Sequence, residues 1–67
     1  MTLNEIKQYA DYIDQKITIK TENNEFIGIF LGGLCEYDTS SGEDEIVLET
    51  EESRKYIPIS EIIKITV

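Results

Sequence analysis

Histidine and tryptophan are absent from this chain, and cysteine and proline occur once each. Without histidine, the side chain that ordinarily acts as general base near neutral pH is missing, and so is the commonest metal ligand. A lone cysteine, Cys35, excludes an intrachain disulfide. No apolar run approaches the roughly 20 residues that cross a bilayer as a helix, and no basic stretch leads into an apolar one. The expectation is a soluble, reduced, cytoplasmic protein that makes no use of a membrane. Bases are scarce as well: six Lys and Arg stand against 14 Asp and Glu, for a net charge of −8. Binding by phosphate neutralisation needs clustered bases, because its strength grows with the counterions released. No such cluster exists here.

The 67 residues make one domain, residues 1–67. A chain this short buries only about 60% of the surface its unfolded form exposes, so its core is thin. Domains of this size lean on disulfides, a metal or self-association, and the composition leaves self-association. The acidic excess is confined to one stretch. Glu36, Asp38, Glu43, Asp44, Glu45, Glu49, Glu51 and Glu52 follow one another with no base among them, while elsewhere six acids meet six bases. A solvated hairpin face kept soluble by charge is the simplest account; a surface for a basic partner is the functional one.

The spacing predicts a helix over about 3–14, with Leu3, Ile6, Ala10 and Ile13 on one face and Tyr9 and Tyr12 flanking it. Thr2-Leu3-Asn4-Glu5 fits a capping box, and Met1 and Ile6 stand at hydrophobic-staple positions. From Lys16 the period becomes two, with Ile17 and Ile19 facing one way. Asn23-Asn24, which tolerate positive φ, predict a tight hairpin turn. Phe26 to Leu31 is apolar on both faces and carries Gly28, with Gly32-Gly33 next, which predicts one long, bent strand running on to Tyr37. Both phenylalanines are assigned to the core. Thr39 to Gly42 is a turn by composition, and Ile46 and Leu48 then alternate with Val47. After a turn at Glu51-Glu52-Ser53, strand four covers Lys55 to Ile59, with Pro58 marking an edge or an end. Ser60-Glu61-Ile62 suits one helical turn, and Ile63 to Val67 is the last strand.

A short N-terminal helix followed by five strands, the second long and bent, closes into a small antiparallel barrel over about 16–67. This pattern resembles the Sm and Sm-like (LSm) family. The carriers are Phe26-Ile27-Gly28-Ile29-Phe30, which resembles the family's second strand, and Glu45-Ile46-Val47-Leu48-Glu49, which resembles its third. Ile57-Pro58-Ile59-Ser60-Glu61-Ile62, leading into Ile63-Lys64-Ile65, resembles its passage from strand four to five. The resemblance implies a non-enzymatic module that forms a closed homo-oligomer through strand edges and binds single-stranded RNA or a nucleotide. The candidate ligand contacts are Tyr37, Asp38, Asp44 and Ser60, and the short, β-branched last two strands offer an oligomer edge at Tyr56, Ile57, Ile59, Ile63, Ile65 and Val67. The chain departs from the family where RNA is read. Asp44 or Glu45 stands where an asparagine is usual, and Ser60-Glu61 replaces the arginine-glycine pair. The RNA-reading residues are therefore not carried over, and the alternative is an interaction module whose acidic hairpin docks on a basic protein. Small barrels of the Src-homology type share this strand order and bind peptides, so fold alone does not choose.

No cofactor or dedicated metal site is expected. Asp38-Thr39-Ser40-Ser41-Gly42 lacks the calcium-loop spacing, because its glycine comes fifth and not sixth. The serines have no neighbouring base, and acidic neighbours disfavour a thiolate at Cys35, which reads as a buried structural residue. Tyr37 is the aromatic nominated for base stacking, against the simpler role of a cross-strand packing partner. Lys20, Arg54 and Lys55 are a candidate small basic spot.

Overall fold

The computed structural model describes the backbone of residues 1–67 and every side chain except that of Leu3, so the expected placement of Leu3 on the helix face lies outside the described residues. The chain is mainly β. Helix α1 spans Leu3–Lys7, and strands β1 to β5 span Lys16–Thr21, Glu25–Leu34, Glu45–Glu49, Arg54–Pro58 and Ile62–Thr66. Short 3-10 turns lie at Ala10–Tyr12, Glu36–Asp38 and Ile59–Glu61. The five strands form one antiparallel sheet in the order β4-β3-β2-β1-β5. Strands β4 and β5 are its two edges, and hydrogen bonding does not close the sheet.

Strand β2 serves both halves of the sheet. Its first part pairs with β1, from Lys20↔Glu25 to Lys16↔Ile29, and its second with β3, from Ile29↔Glu49 to Leu34↔Glu45. The ladders overlap only at Ile29. The register with β3 slips at Leu31, between Phe30 and Gly32, and Gly32 has φ +114, a value side-chain-bearing residues rarely adopt. The bend expected from the glycines is therefore built as a bulge.

The core is largely isoleucine, a β-branched residue that suits a pleated, half-buried surface. Ile17 and Ile19 come from β1, Phe30 from β2, Ile46 and Leu48 from β3, Ile57 from β4, and Ile62 and Ile65 from β5. Ile59 joins them from the last 3-10 turn and Ile6 from α1. Phe26 is half-buried at the margin and not in the core proper.

The helix is shorter than its sequence period suggests. The capping box is formed: Thr2 Oγ1 accepts from the Glu5 amide (3.3 Å), and Glu5 Oε1 accepts from the Thr2 amide (3.2 Å). Beyond Lys7 the bonds tighten to three-residue spacing, from Tyr9 N–H to Ile6 C=O and from Tyr12 N–H to Tyr9 C=O. Tyr9, Asp11, Tyr12 and Ile13 are poorer helix formers than the leucine, glutamate and lysine of α1, and Asp11 and Asp14 oppose the dipole at a helix C-terminus. The sheet also competes for this segment. Asp14 N–H donates to Phe30 C=O (2.8 Å), and Phe30 N–H donates to Gln15 C=O (3.0 Å). Asp14 takes φ 72 to make that turn. As a result Ala10 and Ile13 are exposed, and among the described side chains of the expected stripe Ile6 is the one in the core, with Met1, Tyr9 and Tyr12 packed against it.

Both tight hairpins are closed by a threonine. Thr21 N–H donates to Asn24 C=O (2.9 Å) and Thr21 Oγ1 accepts from Asn24 N–H (3.2 Å). Thr50 and Ser53 repeat both bonds, at 2.9 and 3.3 Å. Neither asparagine at 23 or 24 uses positive φ, because the threonine hydroxyl closes the turn without it.

Candidate functional site

The two loops at one end of β3 meet. The β2–β3 loop, residues 35–44, is braced from within. Asp44 Oδ1 accepts from the Glu36 amide (2.9 Å), and Thr39 Oγ1 donates to the Glu43 carbonyl (2.7 Å). Asp44 C=O then accepts from the amide of Ile59 (2.9 Å), and Ser60 Oγ donates to Glu43 Oε1. These bonds tie the long loop to the β4–β5 turn. Of the four residues nominated for ligand contact, Asp44 and Ser60 are thus brought together, both through the Glu43-Asp44 pair.

Tyr37 and Asp38 share the same loop, in its 3-10 turn. Tyr37 is 88% exposed, so the simpler role as a cross-strand packing partner does not hold. Asp38 is occupied by Cys35, whose thiol donates to Asp38 Oδ2 (3.2 Å). Cys35 itself is exposed, contrary to its expected burial, because the chain leaves β2 at Leu34 and the strand does not continue to Tyr37.

The nominated edge residues divide by burial. Tyr56, Ile63 and Val67 are exposed, whereas the side chains of Ile57, Ile59 and Ile65 belong to the chain's own core. Ile59 lies in the 3-10 turn and Val67 just past β5, each one residue outside its expected strand. The three bases proposed as a basic spot do not assemble. Lys20 is in β1 and Arg54 and Lys55 are in β4, with β2 and β3 between them.

One buried charge was not anticipated. Glu45, in the middle of the acidic run, is only 5% exposed, and its Oε2 accepts from Ser41 Oγ (2.7 Å). Its position at the first residue of a central strand carries the signal: Glu45 pairs with Leu34 on one side and Pro58 on the other. The rest of the run is largely solvated, at Glu36, Asp38 and Glu43 beyond one end of β3 and at Glu49, Glu51 and Glu52 toward the other.

Two grooves open on the surface. The larger, about 690 Å³, lies between the first half of β2 and the β3–β4 turn, where Lys16 and Lys55 stand opposite several glutamates, and it holds no nominated ligand residue. The smaller, about 240 Å³, lies between the N-terminal segment and the start of β3, and includes Asp44 and Glu45. Among the described residues no three metal-ligating side chains converge. No helix is long and apolar enough to cross a membrane. Comparison of the chain with protein-family models, with curated proteins and with solved structures finds no match.

Proposed function

We propose that this chain is a non-enzymatic, self-assembling binding module of Sm-like architecture whose loop face takes a basic protein partner. The observation that carries the choice of partner is the joined loop pair. Residues 35–44 and 59–61, which contain no Lys or Arg, bring Glu36, Asp38, Glu43, Asp44 and Glu61 to one end of the molecule, where Lys7 of α1 is the base that lines the adjoining groove. Such a surface repels phosphate and attracts cationic chains, and complementary charge of this kind sets partner choice and association rate.

Support for the Sm-like reading comes from the strand order, with β4 and β5 as the free edges, and from a β2 that bends to serve both halves. Edges with unpaired amides and carbonyls invite pairing, and a 67-residue chain gains from the apolar burial that pairing adds. Edge β4 meeting edge β5 of another copy is a head-to-tail contact, which closes into a ring or extends into a filament, and the net charge of −8 opposes extension. The reading is therefore a closed homo-oligomer of more than two copies, housed in the cytoplasm.

Single-stranded RNA or a nucleotide is the second reading. Its support is Tyr37, a fully presented aromatic beside the loop pair that suits base stacking. One titration series separates the two. A basic peptide that binds more weakly as salt rises, with no binding of short RNA, supports the protein partner. Tight RNA binding lost in Tyr37→Ala overturns it.

A further inference from the structure

Glu45, 5% exposed, lines the smaller groove, and its carboxylate accepts from one hydroxyl. Ser41 Oγ provides this bond, the one that the described residues give that carboxylate. A carboxylate has room for about four donors, and among the described residues no fully buried side-chain oxygen is without a partner, so the unfilled acceptor positions of Glu45 are open to a ligand's donors. The walls are otherwise largely apolar: Ala10, Ile13, Phe30, Leu34 and Ile59. Ile13 remains 43% exposed there, so apolar surface is left open beside the charge. Asp44 adds a second carboxylate to the lining, and Lys7, itself exposed, is the one base.

We infer that this groove receives one arginine side chain of the basic partner, its methylene stem against Ala10, Ile13 and Leu34 and its guanidinium on Glu45. This deepens the basic-partner reading and rests on it. Three features select arginine. About 240 Å³ is below the usual size of a small-molecule pocket and suits a single side chain. An apolar passage ending on a carboxylate matches a long stem with a charged head. A guanidinium is more weakly hydrated than an ammonium and meets a carboxylate with paired donors, so it tolerates burial better than lysine. The surface carboxylates of the loop face would draw the basic chain in, and Glu45 would anchor it.

The test is calorimetric titration of the full chain with a capped tetra-arginine peptide, repeated with capped tetra-lysine. Tetra-arginine is expected to bind, with tetra-lysine weaker by at least about fivefold and Glu45→Gln weaker by at least about tenfold. Ala10→Leu, at an exposed position that lines the groove, fills it without touching the carboxylate and is expected to weaken binding by a similar factor. Glu49→Gln at the opposite end of β3 and Glu51→Gln just beyond it serve as controls for general charge and are expected to stay within about twofold. Amide spectra establish that each variant is folded, and Ala10→Leu decides the matter if Glu45→Gln is not. Binding that survives both groove variants overturns the groove and leaves the basic partner standing. Equal binding of tetra-lysine overturns the arginine assignment. A wild-type chain that ignores both peptides overturns this inference together with the reading beneath it.

Discussion

The α-carbon of Gly28 lies against the backbone carbonyl of Glu49, so closely that a Cβ at position 28 would overlap that oxygen. Leu48 Cγ lies on the same side, 3.1 Å from where the Cβ would be. The contact holds the first half of β2 to the end of β3, where the two ladders of the sheet hand over.

Gly28→Ala is therefore expected to destabilise the fold by about 2–3 kcal/mol, because the obstructing atom is backbone and cannot rotate away. Gly32→Ala, where φ is +114 and the nearest atom is 4.0 Å away, is expected to cost about 1–2 kcal/mol through backbone strain alone. Urea unfolding of the two variants measures both. A neutral Gly28→Ala would sink the close-approach account.

Of the described N-terminal side chains, Ile6 is the one buried in the core. Ile6→Ala is expected to cost about 2–4 kcal/mol, since Ile6 is 6% exposed and joined to the core. Ile13→Ala, at 43% exposure, should cost less than about 1 kcal/mol. Denaturation midpoints that rank the two the other way round would return the packed face to the stripe read from sequence.

The paired hairpins supply a matched experiment. Thr50→Val keeps the shape of the side chain and removes the hydroxyl that contacts Ser53, for an expected loss of about 1 kcal/mol. Thr21→Val should cost about the same or more, because Thr21 is 6% exposed and the Asn24 amide would lose its partner in a drier place. Thermal melts of both variants give the comparison, and a stabilised Thr21→Val would contradict it.

Light scattering at tens of micromolar is expected to find a mass above that of a dimer. Ile63→Asp, on the free edge strand and 61% exposed, should lower that mass without unfolding the chain. A wild-type monomer at that concentration would end the ring proposal.

Short U-rich or A-rich RNA at physiological salt is expected to bind no more tightly than about micromolar, the range of non-specific contacts. A fluorescence titration that returns nanomolar affinity would favour the RNA reading over the basic partner.

Much of the architecture was legible because it depends on local order. The period-two runs at Ile17 and Ile19 and at Ile46 and Leu48 place side chains on one face of a strand wherever that strand lies. Thr2 and Glu5 cap a helix with atoms three residues apart. Glycine at 32 marks a bend because few other residues adopt the required φ. Pro58 marks an edge because it has no amide to donate. Length and composition likewise excluded an intrachain disulfide, since there is one cysteine to form it.

What only the tertiary structure decided depends on groups distant along the chain. Weak helix formers after Lys7 shorten the helix locally, but the bonds of Phe30 to Asp14 and Gln15 add a competition that no local window contains. Cys35 is exposed because β2 leaves the sheet at Leu34, where its pairing with β3 ends. Asp44 meets the β4–β5 turn through the amide of Ile59, after β4 has crossed back along β3. Glu45 looks in sequence like its solvated neighbours, yet it is buried at the start of a central strand. Charge and period are properties of the chain taken a few residues at a time, but burial depends on what packs on top, and that is set by segments brought together only when the sheet forms.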